Sequence, residues 1–208
     1  MILKAKHHSL VYPFFKIYAL RKIKKHFHDC TVIGNFEDKK TPLLVVANHL
    51  SWWDGFWIMQ LNLKLLKRKF HFMMLEEQLR KYWFFTFTGG FSINKKGKSM
   101  LETIDYTAQL LNDSGNMVLL FPQGEIQSMH QQEISFEKGI EHIIRKTNKP
   151  IQVLFVVHLC DYFSNKKPSL FQYISSYAYS NFSFTEFQHS YRQFYTQCIN
   201  EQIRRNKA

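Results

Sequence analysis

Four short apolar runs, separated by segments with a helical pattern, limit the possible folds most strongly. The runs cover residues 43–47, 70–75, 117–121 and 151–157, and the helical segments cover 53–66, 76–85, 99–111 and 136–146. Short runs rich in β-branched and aromatic residues are typical of strands that are buried on both faces. Their alternation with helices predicts an α/β fold, in which a largely parallel central sheet is flanked by layers of helices.

The chain is large enough for one substantial core. With 208 residues and 45% apolar content, it is short for two ordinary domains with a linker. We therefore predict one domain over residues 1–208. Three well-separated cysteines indicate neither a disulfide framework nor a zinc site, which favours a reducing, cytoplasmic setting. No run of eighteen apolar residues occurs, so we do not expect an integral membrane protein.

The charge of the chain points to an anionic partner. The net charge is +12, and the pI is about 9.6. Such a charge attracts nucleic acid, an acidic carrier protein, the phosphates of coenzyme A and an anionic membrane leaflet alike. The first 28 residues contain seven lysines and arginines and no acid, interleaved with aromatic and aliphatic residues. This pattern is typical of a segment that binds an anionic membrane surface from one side. The alternative is an amphipathic helix that packs on the domain and exposes a basic face.

The segment after the first apolar run carries the strongest chemical signal. His49 and Asp54 are separated by four residues and follow residues 43–47 directly. A neutral imidazole is the usual general base near pH 7, and a carboxylate on its second nitrogen stabilises the imidazolium that forms. Such a pair can activate a hydroxyl or an amine. The competing interpretation is that His49 ends a strand and Asp54 caps the next helix.

Two motifs together resemble a known family. Asn48-His49-Leu50-Ser51-Trp52-Trp53-Asp54 fits the pattern N-H-x-x-x-x-D, and Phe121-Pro122-Gln123-Gly124 follows where F-P-E-G is expected. This arrangement resembles the glycerolphosphate and lysophospholipid acyltransferases of phospholipid biosynthesis. The resemblance implies that His49 is the base, that Asp54 orients it, and that a fatty acyl group moves from a coenzyme A or acyl-carrier-protein thioester to a hydroxyl or amine of a lipid acceptor. It implies no metal and no cofactor besides the acyl donor.

The resemblance extends to residues that bind substrate, with departures from the family pattern. Residues 89–95 fit the family's second sequence block, which runs from a glycine to an arginine six residues later. Lys95 stands in place of that arginine, and it keeps the charge but loses the bidentate geometry. In the third block Gln123 replaces the glutamate, and Ile126 replaces an arginine. Glu125 either supplies a displaced carboxylate or faces solvent. The substrate-binding candidates are therefore Lys95, Phe121, Pro122, Gln123, Gly124 and Glu125. The replacements at 95, 123 and 126 weaken the expectation that the acceptor carries a phosphate.

A second function class is a basic lipid-binding or nucleic-acid-binding module without catalysis. We do not expect nucleic acid, because the aromatic residues concentrate in apolar runs instead of alternating with basic residues where bases could stack. The tryptophans beside the motif, Trp52, Trp53 and Trp57, either line an acyl tunnel, enter the membrane interface or belong to the core.

Overall fold

The computed structural model describes residues 2–94 and 98–205. In this part of the chain, seven strands form one sheet: β1 (Cys30–Ile33), β2 (Leu43–Ala47), β3 (Lys69–Leu75), β4 (Gly90–Ile93), β5 (Asn116–Leu120), β6 (Gln152–Asp161) and β7 (Ser169–Tyr177). The α-helices are α1 (Val11–His26), α2 (Asp54–Leu61), α3 (Glu76–Lys81), α4 (Lys98–Leu110), α5 (Gly139–Lys146) and α6 (Phe184–Arg204).

The sheet is largely parallel, as the alternation of strands and helices predicts. Its order is β1-β7-β6-β2-β5-β3-β4. All neighbouring strands run parallel except β6 and β7, which are antiparallel. The strand β2 lies in the middle, with Ala47 opposite Val156 of β6 and Val46 opposite Leu120 of β5. The predicted α/β fold class is confirmed.

Helices cover both faces of the sheet, so the apolar core is divided into two layers. Alternate residues of β2 point to opposite faces, and all five are buried. Leu44 and Val46 pack against α4, α5 and α6, whereas Leu43, Val45 and Ala47 pack against α1 and α2. A central strand buried on both sides requires a continuous apolar sequence, which explains why residues 43–47 contain no polar residue.

The sequence pattern missed three strands and misjudged several helix ends. The strands β1, β4 and β7 have no continuous apolar run, because β4 begins with glycine and the other two contain polar residues. The predicted helix 53–66 consists of α2 and a π-helical turn, Asn62–Leu66. The predicted helix 76–85 is divided into α3 and a 3₁₀ helix, Trp83–Thr88. The predicted helix 136–146 begins only at Gly139.

The N-terminal segment packs on the domain, and membrane binding by it stays a prediction. The helix α1 packs on the domain through Ala19 and Ile23, and Pro13 lies in its first turn, where a missing N–H costs nothing. Leu3 precedes α1 and exchanges hydrogen bonds with Ser92 of β4. The outer face of α1 exposes apolar and basic side chains. No helix among the described residues is long and apolar enough to cross a bilayer.

Candidate active site

The structure brings His49 and Asp54 into direct contact at the carboxyl end of β2. The Nδ1 atom of His49 lies 2.7 Å from Oδ2 of Asp54. The carboxylate is completely buried, while 22% of the imidazole side chain remains exposed. With Nδ1 bonded to the carboxylate, Nε2 is the nitrogen that would exchange a proton with a substrate. This is the arrangement of a base with its own orienting acid.

Asp54 also organises the loop that connects His49 to α2. Its Oδ2 atom accepts hydrogen bonds from the backbone N–H groups of Leu50 at 2.7 Å and Ser51 at 3.0 Å. The hydroxyl of Ser51 donates to Oδ1 at 3.2 Å and accepts from the N–H of Trp53 at 3.1 Å. These N–H groups precede the carboxylate instead of belonging to the first turn of α2. Asp54 therefore does not act as an ordinary helix cap, since a cap would accept from the N–H groups that follow it.

Residues 121–124 meet residues 48–54 at His49, as parallel strands with a shared carboxyl edge allow. The ring of Phe121 stacks on the imidazole of His49, with 4.0 Å between centroids and 8° between planes. The side chain of Gln123 is buried, and its Oε1 atom accepts a hydrogen bond of 2.7 Å from the backbone N–H of His49. The backbone carbonyl of Pro122 accepts from the N–H of Glu137 at 2.8 Å. Phe121 and Gln123 thus contact the proposed base itself.

The remaining predicted substrate-binding residues divide into a turn, an exposed side chain and a position outside the described residues. Gly124 has a φ of +69°, a left-handed conformation that glycine adopts readily, and its N–H closes a turn onto the carbonyl of Phe121. The side chain of Glu125 is exposed, so the solvent-facing alternative fits it. Ile126 is also exposed. Lys95 lies outside the described residues.

Asn48 holds the opposite side of the site, a role that the sequence did not assign to it. Its buried side chain donates to the carbonyl of His158 at 3.0 Å and accepts from the N–H of His158 at 2.8 Å. His158 belongs to β6, the neighbour of β2. A polar residue directly after a buried strand is the signal that marks this position, although its partner 110 residues away cannot be read from the sequence.

The three tryptophans near His49 have three different environments. Trp57 lies in the core with 2% exposure, Trp53 is half-buried, and Trp52 is 59% exposed. The ring of Trp52 contacts Phe56, with 4.6 Å between centroids, and Phe56 contacts Phe15 of α1 at 5.5 Å. The core interpretation holds for Trp57, while Trp52 presents an aromatic surface beside the site.

The imidazole and carboxylate at this edge are groups suited to acid–base chemistry, whereas the thiol of Cys160 is not activated as a nucleophile. Cys160 lies in β6, and burial raises its pKa to about 12, so the thiol remains protonated at neutral pH. No group of three histidine, cysteine or acidic side chains within 2–94 and 98–205 is arranged to hold a metal ion. A histidine that contacts a buried carboxylate and is partly open to solvent can deprotonate a hydroxyl.

Comparisons with known proteins agree with the fold and the motifs. A profile of the acyltransferase family matches residues 21–157, which is more than half of the chain. The chain therefore belongs to the acyltransferase family, as its motifs predicted. Among solved structures, it is similar to the 1-acyl-sn-glycerophosphate (LPA) acyltransferase PlsC from Thermotoga maritima. The TM-score is 0.65 at 19% sequence identity, over 94% of this chain and 80% of that one. A comparison with curated proteins finds no match.

Proposed function

We propose that this protein transfers a fatty acyl group from an acyl thioester to a hydroxyl of a lipid acceptor, with His49 as the general base. The observation that carries the proposal is the 2.7 Å contact between His49 and Asp54 at the carboxyl edge of the sheet. Membership of the acyltransferase family and the similarity to an LPA acyltransferase support acyl transfer to a lipid. An amine acceptor is compatible with the same base.

The reaction follows from the position of the imidazole. Nε2 of His49 removes the proton of the acceptor hydroxyl as its oxygen attacks the thioester carbon. The buried carboxylate of Asp54 stabilises the imidazolium that results. The tetrahedral intermediate then collapses, the C–S bond breaks, and the departing sulfur receives the proton from Nε2. The ester product and a free thiol leave the enzyme, and His49 returns to its neutral form.

Two features of the surface formed by α1 and Trp52 support work at a membrane. The aromatic surface, which we define as Phe14, Tyr18 and Trp52, is exposed together with Ile17 on the same face of the sheet as α2. Basic residues of α1 accompany it, and the ammonium group of Lys22 lies 5.4 Å from the ring centre of Tyr18. Exposed aromatic side chains beside cations bind the interface of anionic bilayers. We propose peripheral membrane association through this surface, which would present His49 to a lipid acceptor.

The test is an acyl-transfer assay read by mass spectrometry. Acyl-coenzyme A and the acylated form of acyl carrier protein are each offered with glycerolphosphate, lysophosphatidic acid, other lysophospholipids and phosphate-free lipid acceptors. We expect one donor and acceptor pair to give an acylated product that disappears in His49→Ala. The panel also identifies the donor and shows whether the acceptor carries a phosphate. Binding to anionic vesicles without a product from any pair would favour a lipid-binding module instead.

A further inference from the structure

Two carboxamide side chains continue the hydrogen-bonded ladder of the sheet past the end of β2. On one side, the side chain of Asn48 exchanges two hydrogen bonds with the backbone of His158. On the other side, Gln123 pairs with the backbone of His49: Oε1 accepts from the N–H at 2.7 Å, and Nε2 donates to the carbonyl at 3.4 Å. The backbone groups determine which amide atom is oxygen, because an N–H group requires an acceptor.

These contacts lie just beyond the last paired residues of the strands. The backbone register between β2 and β5 ends at Val46 and Leu120, so His49 lies beyond the last paired residue. There the carboxamide of Gln123 takes the place of the missing peptide group. The carbonyl of His49 also accepts from the N–H of Gln127 at 2.9 Å. Both backbone groups of His49 are therefore bound by the segment that follows β5.

A fixed backbone matters because the position of the His49 Cα atom determines whether the imidazole can reach Asp54. Phe121 restricts the ring from one face, and Gln123 restricts the main chain. With only 4% exposure, Gln123 is better placed to hold His49 than to bind substrate from solvent. A glutamate, which the family motif has at this position, could accept from the N–H of His49 but could not donate to its carbonyl.

We propose that Gln123 is a positioning residue, which holds the base through both halves of its carboxamide and does not bind the acceptor. This inference rests on the proposed function, since it assigns Gln123 a task in the reaction of His49. A displacement of a reacting group by about 1 Å can reduce turnover about a hundredfold. Gln123 therefore contributes to kcat, whereas a residue that binds substrate equally in the ground and transition states contributes to KM.

The experiment compares Gln123→Leu and Gln123→Glu with Gln152→Leu. Gln152 is a matched control because it is equally buried and its carboxamide also makes two backbone bonds, accepting from the N–H of Lys39 at 3.2 Å and donating to the carbonyl of Glu37 at 2.6 Å. It lies at the amino end of β6, opposite the edge that carries His49. Its loss should lower stability without reaching the site.

We expect Gln123→Leu to lower kcat about a hundredfold with little change in the KM of either substrate. Gln123→Glu retains the bond from the His49 N–H, so we expect a smaller loss of about tenfold. Gln152→Leu should keep kcat within about twofold while it lowers the melting temperature. If Gln123→Leu does not fold, Gln123→Glu still decides: a raised KM or an unchanged kcat overturns the inference. A wild-type protein without transfer activity overturns the proposed function and this inference together, whereas an active wild type with equal kcat in all three variants overturns only the inference.

Discussion

His49 follows β2 and His158 lies in the adjacent strand β6, yet the two imidazoles have very different surroundings. His49 contacts a buried carboxylate and keeps 22% of its side chain exposed. His158 is completely buried, and its Nε2 atom lies 3.3 Å from Nε2 of Gln172. Within the described residues, its Nδ1 atom has no hydrogen-bond partner. Burial lowers the pKa of His158 to about 4, and the charge of Asp54 opposes this only in part. His49 thus combines partial exposure with a direct contact to a buried carboxylate, the two features that a general base requires, whereas His158 is closed off from solvent.

The largest effect on acyl transfer should come from removing the imidazole of His49, with the removal of the His158 imidazole as the comparison. We expect His49→Gln to lower transfer about 10²–10⁴-fold, the usual contribution of a general base. His158→Gln should keep transfer within about threefold, because a histidine that is completely buried does not meet the acceptor. Initial rates at saturating donor, with thermal melts to confirm folding, measure both. Equal losses in the two variants would contradict the assignment of His49 as the base.

The second largest effect on transfer should come from the Asp54 carboxylate, which contacts His49 and not His158. Asp54→Asn removes the charge that stabilises the imidazolium, so we expect kcat to fall about a hundredfold or more. Ser51→Ala is the control, because it removes the 3.2 Å bond from the hydroxyl to Oδ1 of Asp54 and the 3.1 Å bond that the hydroxyl accepts from the N–H of Trp53, but keeps the carboxylate beside His49. We expect a change of about threefold or less. Single-turnover rates separate this chemical step from product release. If Ser51→Ala is as slow as Asp54→Asn, the structure of the loop, and not the charge of Asp54, sustains turnover.

The buried histidines should control stability against acid. Burial lowers the pKa of His71 to about 4, with the charges of His7 and Lys69 adding to the effect, and His158 has a pKa of about 4 as well. In the unfolded chain, both titrate near 6.5, the ordinary pKa of a histidine. As the pH falls below that value, the unfolded state takes up protons first, so the free energy of unfolding decreases until the folded pKa is reached. At about 1.4 kcal/mol per unit, each group removes up to about 3 kcal/mol.

Urea unfolding at several pH values between 7.5 and 4.5 measures this loss. We expect His158→Gln and His71→Gln each to flatten the decline, because the substituted side chain does not titrate. His49→Gln serves as the comparison at the active site. An unchanged slope in both buried variants would show that other groups cause the acid sensitivity.

The sequence predicted the centre of the molecule better than its margins. The strands β2, β5 and β6 are central and covered on both faces, so their apolar runs are continuous. The strand β7 contains glutamine and serines, and its pattern did not distinguish it from a loop. At the site, the spacing of His49 and Asp54 is local and therefore predicts their contact. The bond from His49 to Gln123 joins residues 74 positions apart, and only the strand order brings them together.

The smallest effect should come from the aromatic surface, which has no counterpart around His158. Trp52 is 59% exposed, so Trp52→Ser should leave stability unchanged. It should weaken binding to vesicles that contain anionic phosphatidylglycerol by about tenfold or less, because one interfacial aromatic residue contributes on the order of 1 kcal/mol. Ile203→Ser is the control, because Ile203 is 76% exposed on α6, which covers the opposite face of the sheet. Cosedimentation with the vesicles measures both variants. If vesicle binding falls equally in the two variants, the attraction to the membrane is spread over the basic surface of the molecule. A loss confined to Trp52→Ser would place the membrane on the side of the molecule that carries His49, where a lipid acceptor can reach the imidazole without leaving the bilayer.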